Sequence, residues 1–369
     1  MKVWAFRKPS APSRRSKILL ASAGAAAVIP LLSAAASPAA TSISDCGSSF
    51  DPYQYTPSAL AACGYATFPQ VAVNAMAGGG SSYDYQLDDG GTVRFYVPPA
   101  SFDPSTATDA QLDEYGFPPR PTDPDALSQW NTEMNGYQGV DPPPSFLTES
   151  NVVNDTVYYQ NWSGYAVTEP QGTFTHAEAV FVEPTFGSSR CSTNMESTWA
   201  GIGGFNPNTV NLAQNGTAHN EPGIGNHQAW WEILPGRAFP VAGFGGRAGY
   251  WFDASTRKIT GGFRFYFFDY YSGKAKAFDV TKAGGYGYDG SSAEAIAERP
   301  SVNGVLQNLS NFGTLTFISA RANGNGFNTF DPNGHRHGIH MQTNSGHDLA
   351  DPSGIGTSGQ FTDTQHNCN

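Results

Sequence analysis

The residues best suited to chemistry lie in the run Ser197–Pro235, STWAGIGGFNPNTVNLAQNGTAHNEPGIGNHQAWWEILP, and in a shorter one further on, SAEAIAERP (Ser292–Pro300). In extended chain alternate side chains share a face. Ser197, Trp199 and Gly201 then point together, as do Val210, Leu212 and Gln214, and so do Gln228, Trp230, Glu232 and Leu234. Aromatic rings, an amide and a carboxylate at period two suit the floor of a groove. The same pattern also serves plain packing and solvent contact on one face of a sandwich strand. In the second run Glu294 and Glu298 share a face with Ile296 between them. At ~3.3 Å per residue their backbones stand about 13 Å apart, so their coupling is modest and Glu294 reads as a surface carboxylate.

Other hydrolytic machinery is missing from the sequence. There is no Gly-x-Ser-x-Gly elbow, no His-Glu-x-x-His helix, no Asp-Thr-Gly or Asp-Ser-Gly, no phosphate loop and no dinucleotide fingerprint. His335 and His337 share a strand face that His340 does not, and no carboxylate has ligand-like spacing beside them. Neither a metal nor another cofactor is expected. What remains is a carboxylate and an amide.

Four strings carry a resemblance: NWSGYAV (Asn161–Val167), STWAGIGG with LAQNG (Ser197–Gly216), QAWWEILP (Gln228–Pro235) and SAEAIAERP. In order and spacing they resemble the glutamic peptidases, or eqolisins, over about residues 158 to 361. The resemblance implies Glu298 as general base and Gln214 as its partner. It also implies that Trp199, Trp230 and Glu232 sit in or beside the cleft, the two Trp as walls that exclude water and Glu232 as a hydrogen-bonding support. Fungal members carry Asp where this chain has Gly203, so a supporting hydrogen bond is missing there. Such a pair makes sense in acid. A His base would be protonated, whereas an ordinary Glu titrates near ~4.3, and a general base works best with its pKa near the working pH. An amide donor does not titrate in this range.

The elements that must position these residues are strands. Aromatics at 13%, 42 Gly and 17 Tyr, with few long helical patterns, point to an all-β protein. Phe174–Val182, Gly262–Tyr271 and Gly313–Ala320 alternate at period two, with Phe263, Phe265 and Phe267 opposite Arg264, Tyr266 and Phe268. This is the patterning of an antiparallel β-sandwich of two large sheets, which is also the lectin-like fold the resemblance implies. Only 14% of residues are charged, against a usual ~25%. Few structural carboxylates mean little stability lost on acidification.

The amino-terminal part differs. Residues 1–40 have a basic start, an Ala-rich apolar run over Ile18–Ala36 and small residues after it, the pattern of an export signal, so secretion is expected. Residues 41–150 read as a small α+β region: a hairpin around Asp88-Asp89-Gly90-Gly91, a capping box from Thr108 to Gln111, and a helix from Asp123-Pro124 to near Gly136. Asp141-Pro142-Pro143-Pro144 reads as a stiff linker. The resemblance implies that this region is a propeptide and that residues 151–369 are the peptidase; a retained accessory domain is the other reading. Cys46, Cys63, Cys191 and Cys368 form an even set in an exported chain, and pairing Cys46 with Cys63 and Cys191 with Cys368 keeps each bridge inside one domain.

Six of the 20 basic residues lie at or before Lys17 and no acid precedes Asp45, so the remainder carries 14 bases against 31 acids, a net charge of -17. That sign excludes nucleic acid and anionic membrane as partners once the signal is gone. The expected partners are a protein or peptide substrate and the chain's own propeptide, with a monomeric enzyme. Two other classes stay open: a glycoside hydrolase using Glu294-x-x-x-Glu298, and a non-catalytic carbohydrate-binding sandwich. Against the first, Ile296 stands where such strands carry Asp, and Gln214 would have no role.

Overall fold

Phe263, Phe265 and Phe267 of the strand Gly262–Asp269 enter one apolar core, while Tyr266 and Phe268 enter another on the opposite side. The strand therefore lies in a sheet covered on both faces, as its period-two pattern predicts. The computed structural model describes residues 52–150, 152–153, 158–188, 194–205, 211–221, 224 and 226–369. All belong to one compact unit, Ala40–Asn369. The export segment, Cys46 and Cys191 lie outside the described residues. Cys63 and Cys368 are each disulfide-bonded, and their proposed partners remain expectations. Among the described residues no helix is long and apolar enough to cross a membrane.

Two large antiparallel sheets pack face to face. In the 13-stranded sheet the neighbours run Met341–Gln342, Asp348–Pro352, Phe361–Gln365, Thr314–Ala322, His176–Val182, Trp251–Ile259, Gly262–Asp269, Lys274–Thr281, Thr92–Val97, Ser81–Gln86, Thr67–Ala75 and Phe146–Thr148, with Asn325–Gly326 paired to Thr314–Ala322. In the eight-stranded sheet they run Phe239–Gly245, Gln228–Ile233, Leu212–His219, Asn194–Gly203, Ser292–Glu298, Trp162–Thr168 and Arg336–Ile339, with Asn308–Leu309 alongside Asn194–Gly203. Ala200, Ile202, Trp231, Ala295 and Ala297 of the smaller sheet share one core with Phe95, Phe181, Phe252 and Phe278 of the larger.

The amino-terminal region builds onto the larger sheet. Its hairpin closes as the Asp-Gly turn predicts: Leu87 N–H donates to the Gly91 carbonyl at 2.8 Å, with Gly90 at φ 83°. The strand Thr92–Val97 then pairs with Lys274–Thr281, so the sheet runs unbroken across the expected domain boundary. The capping box between Thr108 and Gln111 is present, and Asp123 caps Pro124–Gly136. Trp130 and Met134 of that helix pack on Tyr266 and Phe268 and so cover the sheet's outer face. Asp141–Pro144 is no free linker, because Lys276 Nζ donates to the Asp141 and Pro142 carbonyls and straps it down.

A row of charge crosses this outer face. His176, Arg257, Arg264, Asp279, Arg94 and Asp84 are successive cross-strand partners. Arg264 and Arg94 reach Asp279 and Asp84 respectively at 2.7 Å, and Asp113 joins Arg264 at 2.9 Å and Arg257 at 3.4 Å.

Candidate active site

The site face is the side of the eight-stranded sheet turned away from the larger one. Register lays its side chains out in rows. Trp162, Glu298, Ser197 and Ala218 form one; Ile296, Trp199, Gly216 and Trp230 form the next; Glu294, Gly201, Gln214 and Glu232 form the third. Every sequence-predicted member of the site is thus on one face. The groups assigned from single strands as separate faces coincide because pairing brings their odd and even positions into phase. Gly216 is required: a Cβ there would stand 1.9 Å from the Thr198 carbonyl oxygen and 2.7 Å from Trp199.

Glu298 is fully buried and held by two N–H donors. Trp199 Nε1 donates to one carboxylate oxygen at 2.7 Å and Asn161 Nδ2 to the other at 2.9 Å. Burial raises its pKa well above the ordinary carboxylate value; hydrogen bonding from Trp199 and Trp162 opposes this, and the charges of Glu232 and Glu221 add to it. Gln214 Nε2 donates to Glu232 Oε2 at 2.8 Å, so Glu232 fixes the direction of the amide. Trp162 and Trp199 meet edge to face at 5.0 Å and share an apolar cluster with Trp230, Leu212, Leu234, Ile296 and Ile339.

Two expectations are corrected. Glu294 is no surface carboxylate: it has no exposed area, lies in the same row as Gln214 and Glu232, and burial raises its pKa. The groove is also closed. Glu298, Gln214, Glu232, Trp199 and Trp230 all have 0% exposure. Chain past the strand ends contributes to that cover, with Leu234, Ala238 and Ile224 in the apolar cluster. Apolar packing is not the whole of it, because Asn161, Glu232 and Ser197 line the same face.

Two residues escaped the sequence reading. Asn161 opens the NWSGYAV string, and a polar residue in front of a Trp was the only available signal. Glu221 follows the Gln214 strand; its carboxylate accepts from Ser197 Oγ, the cross-strand partner of Glu298. No local pattern marks it. The three histidines go elsewhere: His335 to the Thr168 carbonyl at 2.9 Å, His337 to the Thr168 hydroxyl at 3.0 Å, and His340 to Asp351 at 2.7 Å. Among the described residues no cluster of three or more His, Cys, Asp or Glu is arranged to hold a metal ion.

Residues 160–363 match the model of the Peptidase A4 family. The chain belongs to the Peptidase A4 family. It is a glutamic-type peptidase, a hydrolase. Similar solved structures include scytalido-glutamic peptidase with a transition state analog inhibitor, at 19% identity over 57% of this peptidase and 100% of that chain, TM-score 0.45. Another is SCP-B, an eqolisin in complex with the tripeptide Ala-Ile-His, at 16% identity over 57% and 100%, TM-score 0.43. A third is aspergilloglutamic peptidase from Aspergillus niger, at 19% identity over 47% and 99%, TM-score 0.40. No curated protein matches the peptidase.

Proposed function

We propose that the peptidase is an exported acid endopeptidase in which Glu298 is the general base and Gln214 stabilises the oxyanion, with no covalent intermediate and no metal. Glu298 takes a proton from the water that attacks the scissile carbonyl and returns it to the leaving amine. An amide carries two N–H donors. The bond to Glu232 orients Gln214, and the second N–H serves the developing oxyanion. The observation that carries this reading is Glu298, held by Trp199 and Asn161, on the same sheet face as the braced Gln214.

Full burial adds a requirement: the cover must move before a peptide enters. Val152–Val153 pairs with Ser301–Val302, just past Glu298, while the Ser150 and Val152 backbones bond Ala238, just past Glu232. Of this strap only Ser150 belongs to residues 41–150, and it ties the end of the amino-terminal region to the chain just past Glu232. It supports synthesis as a precursor, with residues 1–40 as export signal, 41–150 as propeptide and 151–369 as a monomeric mature enzyme. A second reading keeps the amino-terminal region in the mature protein, and one observation favours it: Tyr85 and Phe95 lie in the main core beside Phe278. The intact mass of the acid-treated secreted protein separates the two readings.

The function is tested by incubating the secreted protein with a denatured protein from a pH of about 3, below the intrinsic Glu pKa, up to neutrality, because burial raises the pKa of Glu298, with pepstatin present. Glu298→Gln is expected to lose on the order of 10²–10⁴ in kcat, and Gln214→Ala on the order of 10²–10³. Cleavage by Glu298→Gln at the wild-type rate overturns the assignment. Release of sugar without peptide cleavage would favour the glycosidase instead.

A further inference from the structure

Glu221, like Glu294, is a buried acid of the site that the mechanism leaves without a task. It has no exposed area. One carboxylate oxygen, Oε1, accepts from the Ser197 hydroxyl, and the other, Oε2, has no hydrogen-bond partner among the described residues. Ser197 stands directly across the ladder from Glu298. Opposite residues in such a pair have Cβ atoms about 4.5–5.5 Å apart, so Ser197 places the second carboxyl close to the first.

We propose that Glu221, fixed through Ser197, is a positioning residue that keeps a proton beside Glu298 while Glu298 is ionised, so that the two carboxyls titrate as a pair. The inference rests on Glu298 being the base. Two carboxylates in one dry site cannot both ionise cheaply, and the protons leave in steps that belong to the pair. Hydrogen bonding decides which goes first. Glu298 receives two N–H donors, from Trp199 and Asn161, which favour its charged form; Glu221 receives a single hydroxyl. An ionised Glu221 would also leave Oε2 buried and unpaired, which costs far more for a charged oxygen than for a neutral carboxyl.

The surroundings agree. Glu298 feels the charges of Glu232 and Glu221, Glu221 feels Glu232, and Glu196 on the other face of the sheet feels Glu221. Among the described residues no cation figures in the groups acting on Glu221 or Glu298. Burial pushes Glu221 well above the ordinary carboxylate value. Loss of its proton puts a second negative charge next to the developing oxyanion and stops turnover. The activity therefore has an acid limb set by Glu298 and an alkaline limb set by Glu221.

The test is the pH profile of kcat/KM for wild type, Glu221→Gln and Ser197→Ala, with thermal unfolding midpoints at each pH as a control for folding. Gln keeps the neutral state that protonated Glu221 supplies. The alkaline limb of Glu221→Gln is expected to move up by about one pH unit or more, as for removal of a like charge, with the acid limb nearly still. Ser197→Ala withdraws the donor that favours ionised Glu221 and is expected to move the alkaline limb up by less. An unmoved alkaline limb in a folded Glu221→Gln overturns the proposal, as does a uniform loss across the profile. Carbon-13 titration of labelled glutamate supplies a readout without activity: Glu221 should titrate lower in Glu298→Gln than in wild type, and an unchanged value counts against the pair. Failure of the base reading looks different, because Glu298→Gln itself would then remain active.

Discussion

The two sheets of the sandwich each carry buried acids, and they treat them in opposite ways. On the outer face of the larger sheet Asp279 lies between Arg264 and Arg94 in the cross-strand row, and Tyr96 also donates to it at 2.7 Å. On the outer face of the smaller sheet Glu298, Glu221 and Glu294 are acted on by burial and by other carboxyls, with no cation among the causes. The first arrangement pairs a carboxylate with guanidinium and hydroxyl donors and makes it structural. The second leaves a carboxyl free to gain and lose a proton, at a cost in stability whenever it must ionise. A third set lies between the extremes: Glu133, on the buried side of the helix Pro124–Gly136, is pushed up to about 7 by burial and by the charge of Glu178, against hydrogen bonds from Asp253, Tyr266 and Tyr270. Residue type alone does not separate these fates; cross-strand partners do.

The sharpest way to break the contrast is Arg264→Met. It leaves Asp279 and Asp113 facing each other without their shared cation, and the Arg264 side chain is only 9% exposed. Breaking a buried pair from one side costs about 3–5 kcal/mol. Urea unfolding near neutral pH should show that loss, while Glu294→Gln on the other face should cost little or even stabilise. The reverse ranking would show that the site acids, not the charge row, support the fold.

Next in size is a pH effect. Glu133 has a pKa of about 7 in the folded protein against an ordinary value of 4.5. Between those values the native state holds a proton that the unfolded chain has released, so stability falls as pH rises through that window and is flat on either side. At 1.36 kcal/mol per unit the loss is on the order of 3 kcal/mol. Asp363, also pushed up to about 7 by burial, adds to the same slope. Glu133→Gln should make the decline between pH 4.5 and 7 shallower in thermal unfolding by its own share, the other buried acids keeping theirs; an equally steep decline would exclude Glu133 as a source.

A smaller effect probes the donors of the site. Trp199→Phe removes the 2.7 Å N–H donor to Glu298 but keeps an aromatic ring in place. Because that bond favours the charged form, its loss raises the Glu298 pKa. A hydrogen bond to a charged group contributes about 1.5–3 kcal/mol, so the acid limb of kcat/KM should move up by about one to two units. A limb that moves down would mean the indole acts through exclusion of water and not through its N–H.

Which of these features the sequence revealed follows from how local each one is. Strand faces are set by period two, so the string alone groups Trp230 with Glu232 and, separately, Trp199 with Ser197 and Gln214 with Leu212; that these groups share one sheet face depends on the pairing of their strands. The capping box at Thr108 and the helix start at Asp123 are likewise fixed within a few residues. What stayed hidden depends on distant chain. Glu221 and Asn161 reach Ser197 and Glu298 from beyond the ends of their own strands. The burial of Glu294 comes from chain folded over the face, not from its own strand. The addition of Thr92–Val97 to Lys274–Thr281 is an edge pairing between segments about 180 positions apart, and any extended edge can accept a partner.

Asp113 offers the finest test of the contrast, because it belongs to the charge row yet stands in solvent. It bonds Arg264 at 2.9 Å and Arg257 at 3.4 Å, and its side chain is 62% exposed. An exposed partner gains little from Coulomb attraction, since water screens the pair and two long side chains lose freedom. Asp113→Asn is therefore expected to cost less than ~1 kcal/mol, and the cost should shrink further in high salt. If it approached the cost of Arg264→Met, the strength of the row would extend out to the helix Asp109–Glu114, and a cation partner would make a carboxylate structural whether or not the carboxylate is buried.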